Sequence, residues 1–384
     1  MDVYRNSATC RQNDASPSPA ELLSPRYRKV SALLLAWFDR NARDLPWRRT
    51  TDPYAIWVAE IMLQQTQSAT VKPYYEKFLK CFPTVRRLAK ARLDAVLKVW
   101  EGLGYYCRAR NLHLAAGRIV RDFDGRVPQA KCDLLKLPGV GLYTAGAIAS
   151  IAFNRDEPVV DGNVTRVLCR LFRIRQAPRS SGTQKRLWCL AEELLPSGQA
   201  RLFNQAMMEL GATVCLPRSP RCDDCPLGRM CAAKAHDEQE KLPRRVRKKP
   251  LPRHTAVVAV IYRNGKILID KRKPGGLLGG LWELPGGKVE KGESLEAALL
   301  REVREELGVK VRILHPLVTV QHSYSHFSVT LHAFVCDYES GRPRCVGCVD
   351  YKWVLPKQLD KYAFPAANKK IFAALPRREG NRRS

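Results

Sequence analysis

The stretch Leu137-Pro138-Gly139-Val140-Gly141-Leu142-Tyr143-Thr144-Ala145-Gly146-Ala147-Ile148-Ala149-Ser150 decides how this chain is read. It joins two apolar-periodic segments through a Pro-Gly turn, and its glycines bring backbone close to a ligand. The helix expected over Tyr143–Ala152 points its free N–H groups out of that turn. Leu137, Gly139, Val140 and Gly141 can therefore hold one nucleic-acid phosphate without reading any base. A packing turn would look the same in isolation, so charge is the arbiter. Lys and Arg number 66 against 37 Asp and Glu, a net +29 over 384 residues. That surplus asks for a polyanion, nucleic acid before a membrane surface.

Outward from this turn the text is helical from Pro25 to about Phe203. Apolar residues recur every three or four positions in Val30–Phe38, Ile56–Leu63, Leu93–Trp100, Leu112–Val120 and Ala145–Ala152. Leu45-Pro46-Trp47, Phe82-Pro83-Thr84 and Gly102-Leu103-Gly104 punctuate it. No alternating pattern appears, so residues 25–235 are expected to form an all-α domain. Residues 236–254 read as a basic linker, and Lys241–His254 carries seven Lys/Arg, three Pro and no acid.

Then the pattern changes. Thr255–Tyr262 and Lys266–Asp270 read as strands around an Asn264-Gly265 turn. A helix over Ser294–Leu307 and strands at Arg312–Val320, Ser328–Cys336 and Tyr351–Val354 complete an α+β domain over 255–375. Residues 1–24 read as a disordered tail and 376–384 as a basic one. No run of about 18 apolar residues predicts a membrane span, and the first 24 residues hold no apolar signal segment. A monomer is expected.

Cys215, Cys222, Cys225 and Cys231 follow C-x6-C-x2-C-x5-C, among three prolines. Four thiolates so close can close on an iron–sulfur cluster or on tetrahedral zinc. Cys345-x2-Cys348 has no partner pair and reads as ordinary thiols.

Two carboxylates stand in contrasting contexts. Glu60 interrupts the apolar run Ile56–Leu63, where desolvation is expected to raise its pKa and keep it protonated as a general acid. Asp161 follows two valines at the expected start of a helix, whose N–H groups are expected to keep it ionised. One protonated and one charged carboxyl can cleave a glycosidic bond. Further on, Gly287-x5-Glu293-x7-Arg301-Glu302-Val303-x-Glu305-Glu306-x-Gly308-Val309 is a complete Nudix box. Glu302, Glu305 and Glu306 share one helix face suited to Mg²⁺ beside a pyrophosphate.

WVAEIMLQQTQ (57–67), WEGLGYYCRARNLH (100–113), LPGVGLYTAGAIAS (137–150), VVDGNVTRVLCR (159–170) and FNQAMMELGATVC (203–215) resemble the MutY family of adenine DNA glycosylases. The resemblance covers roughly residues 25–375. It implies a multi-domain protein: an all-α helix–hairpin–helix glycosylase domain with a 4Fe–4S cluster on the four cysteines, then an α+β Nudix-like domain. The implied function is base-excision repair on double-stranded DNA. Adenine opposite 8-oxoguanine or guanine is flipped out and its N-glycosidic bond hydrolysed. By the same resemblance Tyr143 and Asn163 organise the carboxylates, and Gln65 and Tyr105 wedge into the base stack. Tyr324, Ser325 and His326 contact 8-oxoguanine, with Tyr324 where Phe is usual. Endonuclease III-like lyases carry a Schiff-base lysine after the hairpin; Gly141-Leu142-Tyr143-Thr144 has none, which predicts a monofunctional glycosylase. The box leaves two outcomes: a metal-free scaffold, which a pocket shared with the reading loop favours, or Mg²⁺ binding with nucleotide hydrolysis. The expected location is wherever the DNA is: the nucleoid in a bacterium, the nucleus or mitochondrion in a eukaryote.

Overall fold

The computed structural model describes residues 25–244, 250–324 and 327–376. Both tails and most of the linker's basic run lie outside the described residues. The described residues separate into two compact units. One holds those up to Lys90 and from Asn111 through the cysteine loop. The other holds Ala91–Arg110 and everything after the linker.

Eleven α-helices precede the linker among the described residues: α1 (Pro25–Asn41), α2 (Pro53–Leu63), α3 (Ser68–Cys81), α4 (Val85–Lys90), α5 (Leu93–Trp100), α6 (Cys107–Asp122), α7 (Lys131–Leu134), α8 (Leu142–Phe153), α9 (Gly162–Leu171), α10 (Ser181–Glu193) and α11 (Ala200–Thr213). No strand occurs there among the described residues. Asp52 starts α2 by accepting the N–H groups of Tyr54 and Ala55, with Pro53 preset at the first position. Every residue from Tyr54 to Met62 is buried, so α2 has no wet face and Glu60 has no water to turn to. Helix α8 is likewise buried from Thr144 to Ala152. Helix α11 packs on α8, α9 and α1 around Leu34, Leu168, Phe203 and Leu210. Gly211 makes part of this possible: a Cβ there would lie 2.5 Å from the Cβ of Asn163. Only glycine lets α11 come so near the start of α9.

The second unit is built on a mixed sheet: β1 (Arg253–Arg263), β2 (Lys266–Lys271), β3 (Trp282–Glu283), β4 (Lys310–Ser323), β5 (Ser328–Ser340) and β6 (Asp350–Val354). The order is β3-β2-β1-β5-β4, with β6 also on β2. β1 and β5 run parallel and the other pairs antiparallel. Val257, Ala259 and Ile261 face α12 (Leu295–Leu307), while Val258 and Val260 face α13 (Ala366–Ala373). Burial on both faces explains the unbroken apolar run of β1. β1 starts inside the span read as linker. The short β3 and α13 were not read from sequence at all. Ser294 caps α12 by accepting the N–H of Ala297.

Residues 91–110, expected with the helical domain, group by contact with the second unit. Glu101 accepts the Phe364 N–H at 2.9 Å and pairs with Lys98 at 2.7 Å and Lys369 at 2.8 Å. Lys271 reaches Asp94 at 2.5 Å.

Candidate active site

Glu60, Tyr143, Asp161, Asn163 and Gln65 line one cavity of about 710 Å³ in the helical unit. The hydroxyl of Tyr143, the second residue of α8, donates to Glu60 Oε2 at 2.8 Å and also lies 3.3 Å from Met208 Sδ. Burial raises the Glu60 pKa to about 7; the Tyr143 bond lowers it, Asp161 raises it and Arg48 lowers it. Burial, with both carboxyls nearby, lifts the Tyr143 phenol well above its ordinary value, so it stays a donor. Glu60 is thus a carboxyl that is protonated near neutrality.

Asp161 is the N-cap of α9, and its Oδ1 accepts the Val164 N–H at 2.7 Å. Its Oδ2 accepts from Asn163 Nδ2 at 2.9 Å. These are the donors expected to keep it ionised, and burial acts against them. Burial raises the Asp161 pKa, and bonds from Val164 and Asn163, with the charge of Arg166, pull it back without cancelling the rise. The cap supplies the donors, but the cavity wall removes the water.

Four further charged groups, Arg166, Glu209, Arg43 and Arg48, were not singled out from sequence. Arg166 donates to Asn163 Oδ1 at 2.8 Å, to the Gly211 carbonyl at 2.7 Å and, through Nε, to the Cys215 carbonyl at 2.6 Å. It therefore ties Asn163, and through it Asp161, to the first cysteine. Glu209 is buried under Arg43 and Arg48. Burial would push its carboxyl up, but the two guanidinium groups outweigh this and hold it at about 2. Arg166 could have been found as the residue one helical turn beyond Asn163. Glu209 is 166 residues from Arg43 and left no local signal.

In the hairpin, the side chains of Leu137 and Val140 are core, and Gly139 and Gly141 are exposed. Any phosphate contact from Leu137 or Val140 therefore comes from main chain. Gly139 has φ +77°, and a Cβ on it would stand 2.7 Å from Asn111 Cβ. Gly141 caps α8 with no side chain of its own, leaving the first N–H groups open. Gln65 and Tyr105 also have positive φ, +58° and +48°. Such backbone costs a non-glycine residue ~1–3 kcal/mol and gathers at functional sites. Gln65 is exposed just beyond α2, and neighbouring Gln64 donates to Thr144 Oγ1 at 3.1 Å, bracing that loop on α8.

Cys215, Cys222, Cys225 and Cys231 line a second, small cavity. Among the described residues no three His, Cys, Asp or Glu side chains converge on one ion's position, as four sulfurs at ~2.3 Å from zinc must. Arg170 stands in the wall of the same cavity, 2% exposed, with Nη1 3.2 Å from Cys215 Sγ. Its Nη2 is buried without a hydrogen-bond partner. A buried cation with unused donors fits a bulky polyanionic group on these thiolates.

The Nudix carboxylates are engaged elsewhere. Arg301 holds Glu302 and Glu305, each at 3.1 Å, and Glu306 accepts the Gly286 N–H at 3.2 Å. They too are not gathered around an ion's position. Tyr324 follows β4, and its N–H donates to the Phe327 carbonyl at 2.8 Å. Its ring packs on His322 and Phe327. Ser325 and His326 lie outside the described residues. Cys348 is buried and Cys345 exposed.

The family profile of HhH-GPD superfamily base excision DNA repair proteins matches residues 58–193, and that of the NUDIX domain matches 256–374. The chain is 37% identical to an adenine DNA glycosylase of Homo sapiens, over 88% of this chain and 72% of that protein. It is 35% identical to an adenine DNA glycosylase of Buchnera aphidicola, over 77% and 83%. Among solved structures, a thermostable thymine-DNA glycosylase is 34% identical with a TM-score of 0.51, covering 55% of this chain and 98% of that one.

Proposed function

The chain belongs to the adenine DNA glycosylase family, and on that premise we propose that it removes adenine mispaired with 8-oxoguanine or guanine by the paired action of Glu60 and Asp161. It is a DNA glycosylase of base-excision repair, and DNA is its partner. The observation that carries the proposed mechanism is the buried Tyr143–Glu60 bond, at 2.8 Å, in the cavity that Asp161 also lines.

A base inside the duplex is out of reach, so adenine must leave the stack and enter this cavity. Gln65, at the cavity edge, fills the space it leaves. Tyr143 occupies one lone pair of Glu60, which directs the carboxyl proton from the other oxygen toward the base, at N7. Protonated adenine leaves, and positive charge grows on the sugar. That charge favours the ionised form of Asp161, which stabilises it electrostatically or by a transient bond until water attacks. Asn163 fixes the carboxylate, and Arg166 fixes Asn163. No lysine lines the cavity among the described residues, which supports a monofunctional enzyme without a Schiff base.

Cys215, Cys222, Cys225 and Cys231 would hold a 4Fe–4S cluster. The unpartnered Arg170 Nη2, on the guanidinium beside Cys215, supports a polyanionic group there. When bound, such a cluster cross-links the loop and adds a one-electron couple. Mg²⁺ at Glu302, Glu305 and Glu306 has no such support. Tyr324, with Ser325 and His326, is the proposed reader of 8-oxoguanine, and the protein is proposed to act as a monomer. Among the described residues no helix is long and apolar enough to cross a membrane. The compartment is proposed to be that of the DNA.

The test is single-turnover base release from duplexes holding adenine opposite 8-oxoguanine, guanine or thymine. Release should be fastest with 8-oxoguanine, slower with guanine and undetectable with thymine. Equal rates with 8-oxoguanine and thymine would remove the mispair from the proposal.

A further inference from the structure

We propose that Arg170 is the buried counter-ion of the cysteine-bound cluster, and that it sets the cluster's reduction potential and retention. The inference rests on the 4Fe–4S reading above. Arg170 lies on the last turn of α9 and is 2% exposed. Its Nε donates to the Leu242 carbonyl at 2.9 Å, and Nη1 donates to the Leu216 carbonyl at 2.7 Å and to Cys215 Sγ at 3.2 Å. Its own carbonyl takes the Ala233 N–H at 2.9 Å and the Cys231 thiol at 3.5 Å. One residue thus touches the first and last cysteines, 16 positions apart in sequence.

The charge has no other answer. Among the described residues no carboxylate pairs with Arg170, and Nη2 is left without a partner in the wall of the cysteine cavity. Burying an unpaired guanidinium is costly, and neutral carbonyls do not offset a full charge. A 4Fe–4S core on four thiolates carries net negative charge, and N–H···S bonds together with nearby cations favour its more reduced state. In the one-electron couple the cluster gives one electron to an electrode and its charge rises by one. A cation beside it opposes that loss. Lys234 also approaches, bonding the Cys222 carbonyl at 3.3 Å, but its side chain is 38% exposed and water screens it.

The experiment is protein-film voltammetry with iron analysis on the full chain, comparing wild type with Arg170→Lys, Arg170→Met and Lys234→Met. The midpoint potential should fall in the order wild type, Lys, Met. At the wild-type midpoint the oxidised-to-reduced ratio in Arg170→Met should rise about tenfold, the scale of one charge-assisted hydrogen bond. Loss of iron with an unchanged far-ultraviolet spectrum in Arg170→Met would also support the proposal. If that variant fails to fold, Arg170→Lys carries the comparison, since it keeps charge but loses the fork. Unchanged potentials in variants that keep their iron, or an equal shift from Lys234→Met, would overturn the Arg170 assignment alone. Zinc without iron in the wild type would overturn the cluster and this inference together.

Discussion

Each unit buries carboxyl groups, and Glu60 differs from those of the sheet unit, and from Glu209 under Arg43 and Arg48, in the partner it meets. In the helical unit burial raises Glu60 to about 7, and its partner is a neutral phenol. In the sheet unit burial and neighbouring acids raise Glu306 to about 7 and Asp270 to about 9. There Arg272 stands among them and donates to both oxygens of Glu283, at 2.8 and 2.6 Å. Nearby Glu293, at the surface, is held at about 2 by Arg301. A neutral partner leaves a carboxyl able to give up its proton to a substrate. A guanidinium answers the charge in advance and makes the cluster a structural one. Desolvation alone therefore does not mark a catalytic acid. What sets Glu60 apart is desolvation beside an open cavity with no cation bonded to it.

The sharpest way to break this comparison is to neutralise both clusters. Glu60→Gln and Asp161→Asn should each slow single-turnover adenine release by at least ~10³-fold while leaving DNA affinity nearly intact. Glu306→Gln should leave adenine release within about twofold, because its cluster lies outside the cavity. A large loss there, or a small one at Glu60, would erase the distinction.

Next in size is the path from Arg166. Arg166→Met removes the donor that fixes Asn163, and with it one restraint on Asp161. Release should fall about 10- to 100-fold, the scale of one or two hydrogen bonds to charged groups. Asn163→Ala should lose a similar factor, and the double variant should lose less than the product of the two. Multiplying losses would show that the two residues act independently.

The pH dependence sharpens the role of the phenol. Glu60 has to be protonated, and its raised pKa keeps that form present below about 7, so the rate should fall as pH rises through 7. The Tyr143 bond lowers the Glu60 pKa. Tyr143→Phe should therefore move this alkaline limb to higher pH while lowering the plateau about tenfold. A limb moving to lower pH would reverse the assigned effect of the bond. The smallest effect concerns metal: EDTA or added Mg²⁺ should change adenine release less than about twofold, since carboxyl chemistry supplies the mechanism. A strict Mg²⁺ requirement would bring the Nudix carboxylates back into the reaction.

Much of this was legible along the chain because its causes are local. The Pro-Gly turn, the helix starts at Asp161 and Ser294, and the apolar run around Glu60 act within a few residues. Those signals were enough to place α2, α8, α9 and α12, and to separate an all-α part from a sheet part. Strand β3 was invisible because two residues carry no period, and it exists only by pairing Trp282 and Glu283 with β2. Within 91–110, α5 and the start of α6 are periodic wherever they pack, so their pattern carries no sign of the core they contact.

By itself, then, the sequence determined the element types, the side chains available for chemistry and the strongly basic charge, because propensity, capping and charge reside in neighbouring residues. Only the tertiary structure decided which of those side chains share a cavity and in which direction burial shifts their titration. Glu60 meets Tyr143 across 83 residues, Arg43 meets Glu209 across 166, and Arg170 meets Cys215 across 45. Solvent exclusion is a property of the assembled wall and not of any segment within it. That is why burial overrode the helix cap at Asp161, and why a guanidinium on α9 came to face the cysteines.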